Sequence, residues 1–163
     1  MSDAFHIVQA DYADPAHAAA IVRLLDLYAQ DPMGGGEPLS AFARTHLVAE
    51  LALRPQAFSL LAFAGERAVG LANCIEGFST FACKPLVNVH DLAVDPGFRG
   101  KGVGHKLLSE AEDVARQRGA CKLTLEVLSG NTRAAALYQR FGFAHYQLDP
   151  AMGQAVFLQK WLE

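Results

Sequence analysis

Residues 89–104 read VHDLAVDPGFRGKGVG, an apolar strand that runs into a glycine-rich turn and then into a helix. Glycines at 100, 102 and 104 let the backbone approach an anion closely, and the first N–H groups of the following helix lack intrahelical acceptors and can point at it. Arg99 and Lys101 place positive charge beside those donors. The spacing is G-x-G-x-G rather than the dinucleotide G-x-G-x-x-G, and no Ser or Thr follows Lys101 to complete a P-loop lysine motif. The turn is therefore read as a phosphate cradle of another kind.

Working outward, Val103, Leu107, Leu108, Ala111, Val114 and Ala115 recur at helical spacing, so the turn feeds an amphipathic helix that ends at Gly119. The strand before it covers 86–94. A buried strand is expected over 122–127, a helix capped by Asn131 over 131–141, and a closing hairpin from 144–148 and 156–162. Upstream, 5–8 is a short strand, and Asp14-Pro15 supplies an N-cap and a first-turn proline for a helix to Gln30 with the stripe Ile21, Leu24, Leu25 and Tyr28. Asp31-Pro32-Met33-Gly34-Gly35-Gly36 breaks that helix, and Ser40 caps a second one to Leu53. Strands 58–64 and 68–75 flank Gly65-Glu66-Arg67 as a hairpin, and 77–84 is expected to be a loop.

The 163 residues, 52% hydrophobic and 19% charged, suit one compact domain over 1–163. The net charge of −3 is unevenly spread: residues 1–60 hold seven acids against three bases, and 99–122 hold six bases against three acids. Either an anionic cofactor beside a cationic substrate or ordinary solvated helix faces accounts for that asymmetry. Basic residues interleaved with stacking aromatics are absent, which argues against nucleic acid. Cys74, Cys83 and Cys121 are widely spaced without C-x-x-C, and the six histidines show no metal spacing, so free thiols and no metal are expected. No signal-peptide pattern and no apolar run of membrane-spanning length occurs, so a cytoplasmic protein without a membrane partner is expected.

The pattern R-x-x-G-x-G at Arg99, Gly102 and Gly104, after Asp-Leu-Ala-Val-Asp-Pro, resembles the acetyl-CoA pyrophosphate loop of the GCN5-related N-acetyltransferases (GNAT), and within them the small-amine branch. The stretch EVLSGNTRAAALYQRFGF at 126–143 is similar to that family's strand, Asn-led helix and closing Tyr-x-x-x-Gly-Phe. Two ordered motifs spanning about the second half of the chain are far more specific than one glycine loop. The resemblance implies a single α/β domain of element order β-α-α-β-β-β-α-β-α-β-β, with a mixed, mostly antiparallel sheet splayed between 86–94 and 122–127 and flanked by helices.

It also implies a cofactor path. Backbone groups of Leu92, Ala93 and Val94 would meet the thioester and pantetheine. Gly100, Lys101, Gly102, Val103, Gly104 and His105 would wrap the pyrophosphate beside Arg99, and Asn131 and Ala134 would touch the pantetheine or nucleotide. A Cβ at Gly102 or Gly104 would crowd the phosphates or strain the turn.

Direct acetyl transfer needs a neutral amine, an oxyanion donor and a proton for the thiolate. The Leu92 N–H is the candidate donor. Tyr138, seven residues after Asn131, stands where many members of the family carry a tyrosine acid, and its other reading is a helix tyrosine packed on Leu137 and Phe141. His90 stands where polyamine-type members often carry a glutamate; base and hydrogen-bonded core histidine are the two readings. Strand alternation aims Asp91 at the opposite face from His90, although a bulge would re-aim it. Asp31 and Glu37 on a triple-glycine lip, with Tyr28 beside it, are the candidate contacts of a cationic amine, against the reading of a plain helix connector. The expected reaction is acetylation of a small primary amine. Peptide acetylation and a silent CoA-binding sensor are the alternatives, and homodimerisation, through the final hairpin, is implied at family level.

Overall fold

Asp14 starts the first helix as a side-chain cap should: its carboxylate accepts from the N–H groups of Ala16 at 2.7 Å and His17 at 3.3 Å, and Pro15 occupies the position where no N–H is needed. In the computed structural model, which describes residues 5–162, this helix is α1, Pro15–Gln30. Ser40 likewise caps α2, Ala41–Ala52, through the Ala43 N–H at 3.0 Å. The glycine turn opens α3, Val103–Gln117, and Asn131 caps α4, Thr132–Phe141, through the Ala134 N–H at 3.2 Å.

The strands are β1 His6–Gln9, β2 Ala57–Ala64, β3 Arg67–Ser79, β4 Lys84–Val94 and β5 Leu123–Thr124. They form one sheet in the order β1-β2-β3-β4-β5, antiparallel up to β4 and parallel between β4 and β5. The mixed, mostly antiparallel sheet is thus the expected one. Leu107, Leu108 and Ala111 of α3 are buried against Val69, Ala72, Val87 and Val89 on one face. Ile21 and Leu24 of α1 are buried against Leu61, Leu71 and Ala93 on the other. Because β2 and β3 are covered on both faces, they read as apolar runs rather than as alternating strands. Each fully buried leucine contributes on the order of 2–3 kcal/mol of transfer free energy.

Three expectations change. The expected loop 77–84 is half strand: β3 runs to Ser79, β4 starts at Lys84, and only residues 80–83 turn. Exposed strand ends that pair only with each other carry little apolar signal, which hid them. The expected strand 122–127 shrinks to Leu123–Thr124, because only Val87 and Asn88 of β4 remain alongside it before the strands diverge. The closing hairpin 144–148 with 156–162 does not form. Its residues are exposed, Trp161 at 84% and Leu162 at 89%, and a short 3-10 turn at Pro150–Met152 is the one regular element among them. A strand pattern needs an edge to pair with, and two residues of β5 give this segment too little.

Register brings one further consequence. Asn73 opposes Asp91, but Cys74 opposes Val89, so His90 is an extra residue, a bulge. Val89 and Leu92 both pack on the α3 side, so His90 and Asp91 both fall on the α1 side. The expectation that Asp91 faces away from His90 is therefore overturned.

Candidate active site

Beyond Asn88, β4 runs on to Val94 without β5 beside it, so the sheet splays and Leu92, Ala93 and Val94 line a cleft of about 440 Å³. Arg99, Gly100, Gly102, Val103, Gly104 and His105 form one wall, Asn131, Ala134 and Tyr138 of the α4 region another, and Tyr28 and Asp31 the rim. Lys101, His90 and Glu37 are not among its lining residues. Lys101 instead lays its ammonium over the Phe98 ring, 5.0 Å from the centroid.

The turn is organised from behind. Asp95 is buried and its carboxylate accepts from the Gly97 N–H at 3.0 Å and from Arg67 at 2.8 Å. Burial would raise its pKa, but the Gly97 hydrogen bond and Arg67 outweigh it and hold the group below the usual carboxylate range. Within the turn, Gly102 has φ of 89° and caps α3 without a side chain. The first backbone bond of α3 runs from the Lys106 N–H to the Gly102 carbonyl, so the N–H groups of Val103, Gly104 and His105 have no backbone acceptor among the described residues. Donors free in this way, at the positive end of a 15-residue helix, suit a pyrophosphate.

Gly104 has a packing role as well. A Cβ there would stand 2.8 Å from Leu137 Cδ2, so this glycine lets α3 and α4 close on one another beside the cleft. Asn131 spends its side-chain oxygen on capping α4. Arg133 and Arg140 line the cleft, and Arg133 approaches Gly100 so closely that a Cβ there would lie 3.4 Å from Nη2. Sequence reasoning missed both arginines, since its charge count stopped at residue 122. Their positions on a helix beginning at Asn131 were the available signal.

Arg99 and Asp31, assigned above to different ligands, bind each other at 3.1 Å, and Arg99 Nε also donates to the Val94 carbonyl at 3.3 Å. Asp31 accepts from the Met33 N–H at 2.9 Å; that bond first, and Arg99 second, hold its pKa below the ordinary value. The triple-glycine lip is accordingly tied down. The Gly36 N–H donates to the carbonyls of Ala29 and Asp31, both at 3.0 Å. A partly exposed pair of this kind contributes about 0–1 kcal/mol, so Asp31→Asn is expected to speed amide exchange over residues 32–37 by up to about fivefold. Because the folded pKa is depressed, this support is present above the unfolded value and fades as pH falls through the folded one. Wild-type exchange measured by mass spectrometry, corrected for intrinsic rates, should approach the variant's there.

Tyr138 points its ring edge at Phe143, with centroids 5.9 Å apart, and burial, then the neighbouring Tyr28, pushes its pKa up to about 12. Burial first, then the charges of Asp91 and Asp31, also raises Tyr28. The cleft thus holds two phenols that stay protonated at neutral pH. His90 is exposed on the bulge, its Nδ1 3.4 Å from Asn88 Nδ2.

Residues 21–143 match the model of the acetyltransferase (GNAT) family. The chain is 32% identical over 149 residues to the uncharacterized N-acetyltransferase YhfO of Bacillus subtilis, covering 84% of this chain and 94% of that protein. It is 42% identical over 90 residues to streptothricin acetyltransferase of Streptomyces lavendulae, 53% of this chain but only 48% of that protein. A crystal structure of an aminoglycoside acetyltransferase from an uncultured soil metagenomic sample, in complex with sisomicin, superposes with a TM-score of 0.80 at 18% identity, over 98% and 97% of the two chains. The splayed sheet, the glycine turn at the head of α3 and the matched 21–143 segment agree, and the chain belongs to the GNAT family of acetyltransferases.

Proposed function

We propose that the protein transfers an acetyl group from acetyl-CoA to a primary amine of a small molecule, without a covalent enzyme intermediate. The observation that carries this reading is that one cleft joins the unpaired N–H groups of α3, the open edge of β4 at Leu92–Val94 and the protonated Tyr138. Acetyl-CoA, when bound, supplies an activated thioester. In this reading the α3 N-terminus and Arg133 hold its phosphates, and the Leu92 backbone N–H faces the carbonyl oxygen as charge develops there. Tyr138 gives its phenolic proton to the departing sulfur, and His90, on the same face as Asp91, takes a proton from the amine through water. The streptothricin and aminoglycoside acetyltransferases among the similar proteins support a small-molecule acceptor.

The test is free-thiol release from acetyl-CoA against polyamines, amino acids, aminoglycosides and short peptides, with calorimetry of acetyl-CoA alongside. Thiol release with a small amine is expected. Release only with peptides would move the acceptor to proteins, and acetyl-CoA binding without release on any acceptor would favour the sensor reading. Cytoplasmic placement belongs to the same reading; among the described residues no helix is long and apolar enough to cross a membrane. So does a homodimer in which a second copy covers the exposed apolar tail, with Phe157 and Trp161 as anchors. Light scattering should give a dimer mass for the wild type and a monomer mass for Trp161→Asp.

A further inference from the structure

The α1 side of the sheet contains a line of polar side chains where apolar ones would serve the core equally well. Tyr12 Oη lies 2.9 Å from Ser59 Oγ, Ser59 Oγ donates to Asn73 Oδ1 at 2.6 Å, and Asn73 Nδ2 donates to Asp91 Oδ2 at 3.0 Å. Ser59 and Asn73 are buried, at 0% and 4% exposure, so each group left without its partner would carry a full desolvation cost. The direction of the line follows from its donors. Ser59 has one hydroxyl hydrogen and gives it to Asn73, so Tyr12 must donate to Ser59. Turning the Asn73 amide over would set its oxygen against the carboxylate, so every donor points toward Asp91 and each bond polarises the next.

Asp91 also lacks the cation that carboxylates around the sheet and the cleft possess. Asp26 pairs with Arg44, Asp31 with Arg99, Glu76 with Arg118, and Asp95 with Arg67. Asp91 is half-buried and, among the described residues, no lysine or arginine pairs with it. The bulge at His90 puts it on the face shared with Tyr28, behind the cleft wall: Asp91 is not itself a lining residue, but the adjacent Leu92 and Ala93 are, and so is Tyr28, whose phenol feels the Asp91 charge. A half-buried carboxylate fixed by neutral donors and lacking a cation of its own is complementary to a cationic ligand.

Resting on the acetyltransferase reading, we propose that Asp91 is the anchor for a cationic acceptor amine and that Asn73 and Ser59 are positioning residues that hold its carboxylate toward the cleft. Asp31, tied to Arg99, does not take this part. Specificity then favours acceptors with a second positive charge near the reacting amine, such as diamines and aminoglycosides, over neutral or zwitterionic amines.

The experiment compares wild type, Asp91→Asn, Asn73→Ala and Ser59→Ala with sisomicin, spermidine and alanine amide as acceptors. Steady-state KM and kcat, calorimetric amine binding and calorimetric acetyl-CoA binding are recorded, with Tm as a control for folding. Expected for Asp91→Asn is a rise of about tenfold or more in KM and in amine Kd for the polycations sisomicin and spermidine, with acetyl-CoA affinity unchanged. Asn73→Ala and Ser59→Ala should raise the same KM by a smaller factor. Wild-type amine affinity retained in Asp91→Asn, or no binding of sisomicin or spermidine to the wild type, overturns the proposal. A fall in Tm for Asn73→Ala and Ser59→Ala with KM unchanged overturns their positioning role and leaves them structural. If acetyl-CoA itself fails to bind, the acetyltransferase reading falls, while amine calorimetry still reads Asp91 independently.

Discussion

Replacing Tyr138 by Phe is expected to lower kcat by roughly a hundredfold while acetyl-CoA affinity stays near the wild-type value. The ring of Tyr138 packs against Phe143 and lies in the cleft wall, and phenylalanine keeps both contacts. Only the hydroxyl is lost. Because burial and Tyr28 raise its pKa to about 12, that hydroxyl is protonated throughout the neutral range and can hydrogen-bond to the sulfur as negative charge develops there; since the thiol is the stronger acid, the proton that reaches the sulfur moves uphill and the phenolate left behind is reprotonated from solvent. Single-turnover measurement with saturating acetyl-CoA isolates the chemical step, and an unchanged rate there would remove Tyr138 from proton transfer. A Tm within a few degrees of wild type is expected too, which separates loss of the acid from loss of the wall.

Gly34→Ala is expected to be the most damaging small substitution at the rim. A Cβ at Gly34 would stand 1.9 Å from the Tyr28 carbonyl oxygen and 2.8 Å from its carbon. Both atoms belong to the last turn of α1, and backbone cannot rotate away as a side chain would. The strand of lip at Pro32–Gly34 must lift from the helix, loosening Tyr28, Asp31 and the Asp31–Arg99 pair together. Overpacking of this kind costs about 1–3 kcal/mol, and in a domain of this size that is a fall in Tm of roughly 3–10 °C. Acceptor KM should rise with it. Gly130→Ala is the matched control: its Cβ meets nothing within 4 Å and its φ lies outside the left-handed region, so equal effects from both would refute the steric argument.

The same glycine shows how far local reading goes. Three glycines in a row signal that the chain turns and that ordinary residues are unwelcome, and both hold. They do not say whether the reason is mobility or contact. Contact is the answer at Gly34, because the turn folds back on the helix it has just left. Gly104 behaves alike: its place in the glycine turn suggested a phosphate, and the partner that excludes a side chain there is Leu137, thirty-three residues away.

Asp14, Ser40 and Asn131 as caps, the α3 stripe and the glycine turn that opens α3 could be read from the chain alone. Each depends on atoms within about one helical turn of the residue that signals it. Cross-strand register, which sets His90 as a bulge and swings Asp91 onto the α1 side of the sheet, has no local signature, since it is decided by where β3 and β4 fit best along their whole length. The Arg99–Asp31 pair, the Tyr12–Ser59–Asn73–Asp91 line and the unpaired tail are likewise products of tertiary structure. Sequence by itself determined the helices with their caps, the central strands and the family of chemistry, through short-range hydrogen bonds and periodic apolar faces. Which carboxylate is paired with a cation and which is held by neutral donors alone was decided only by packing, because charge pairing between segments dozens of residues apart depends on the positions the core assigns them.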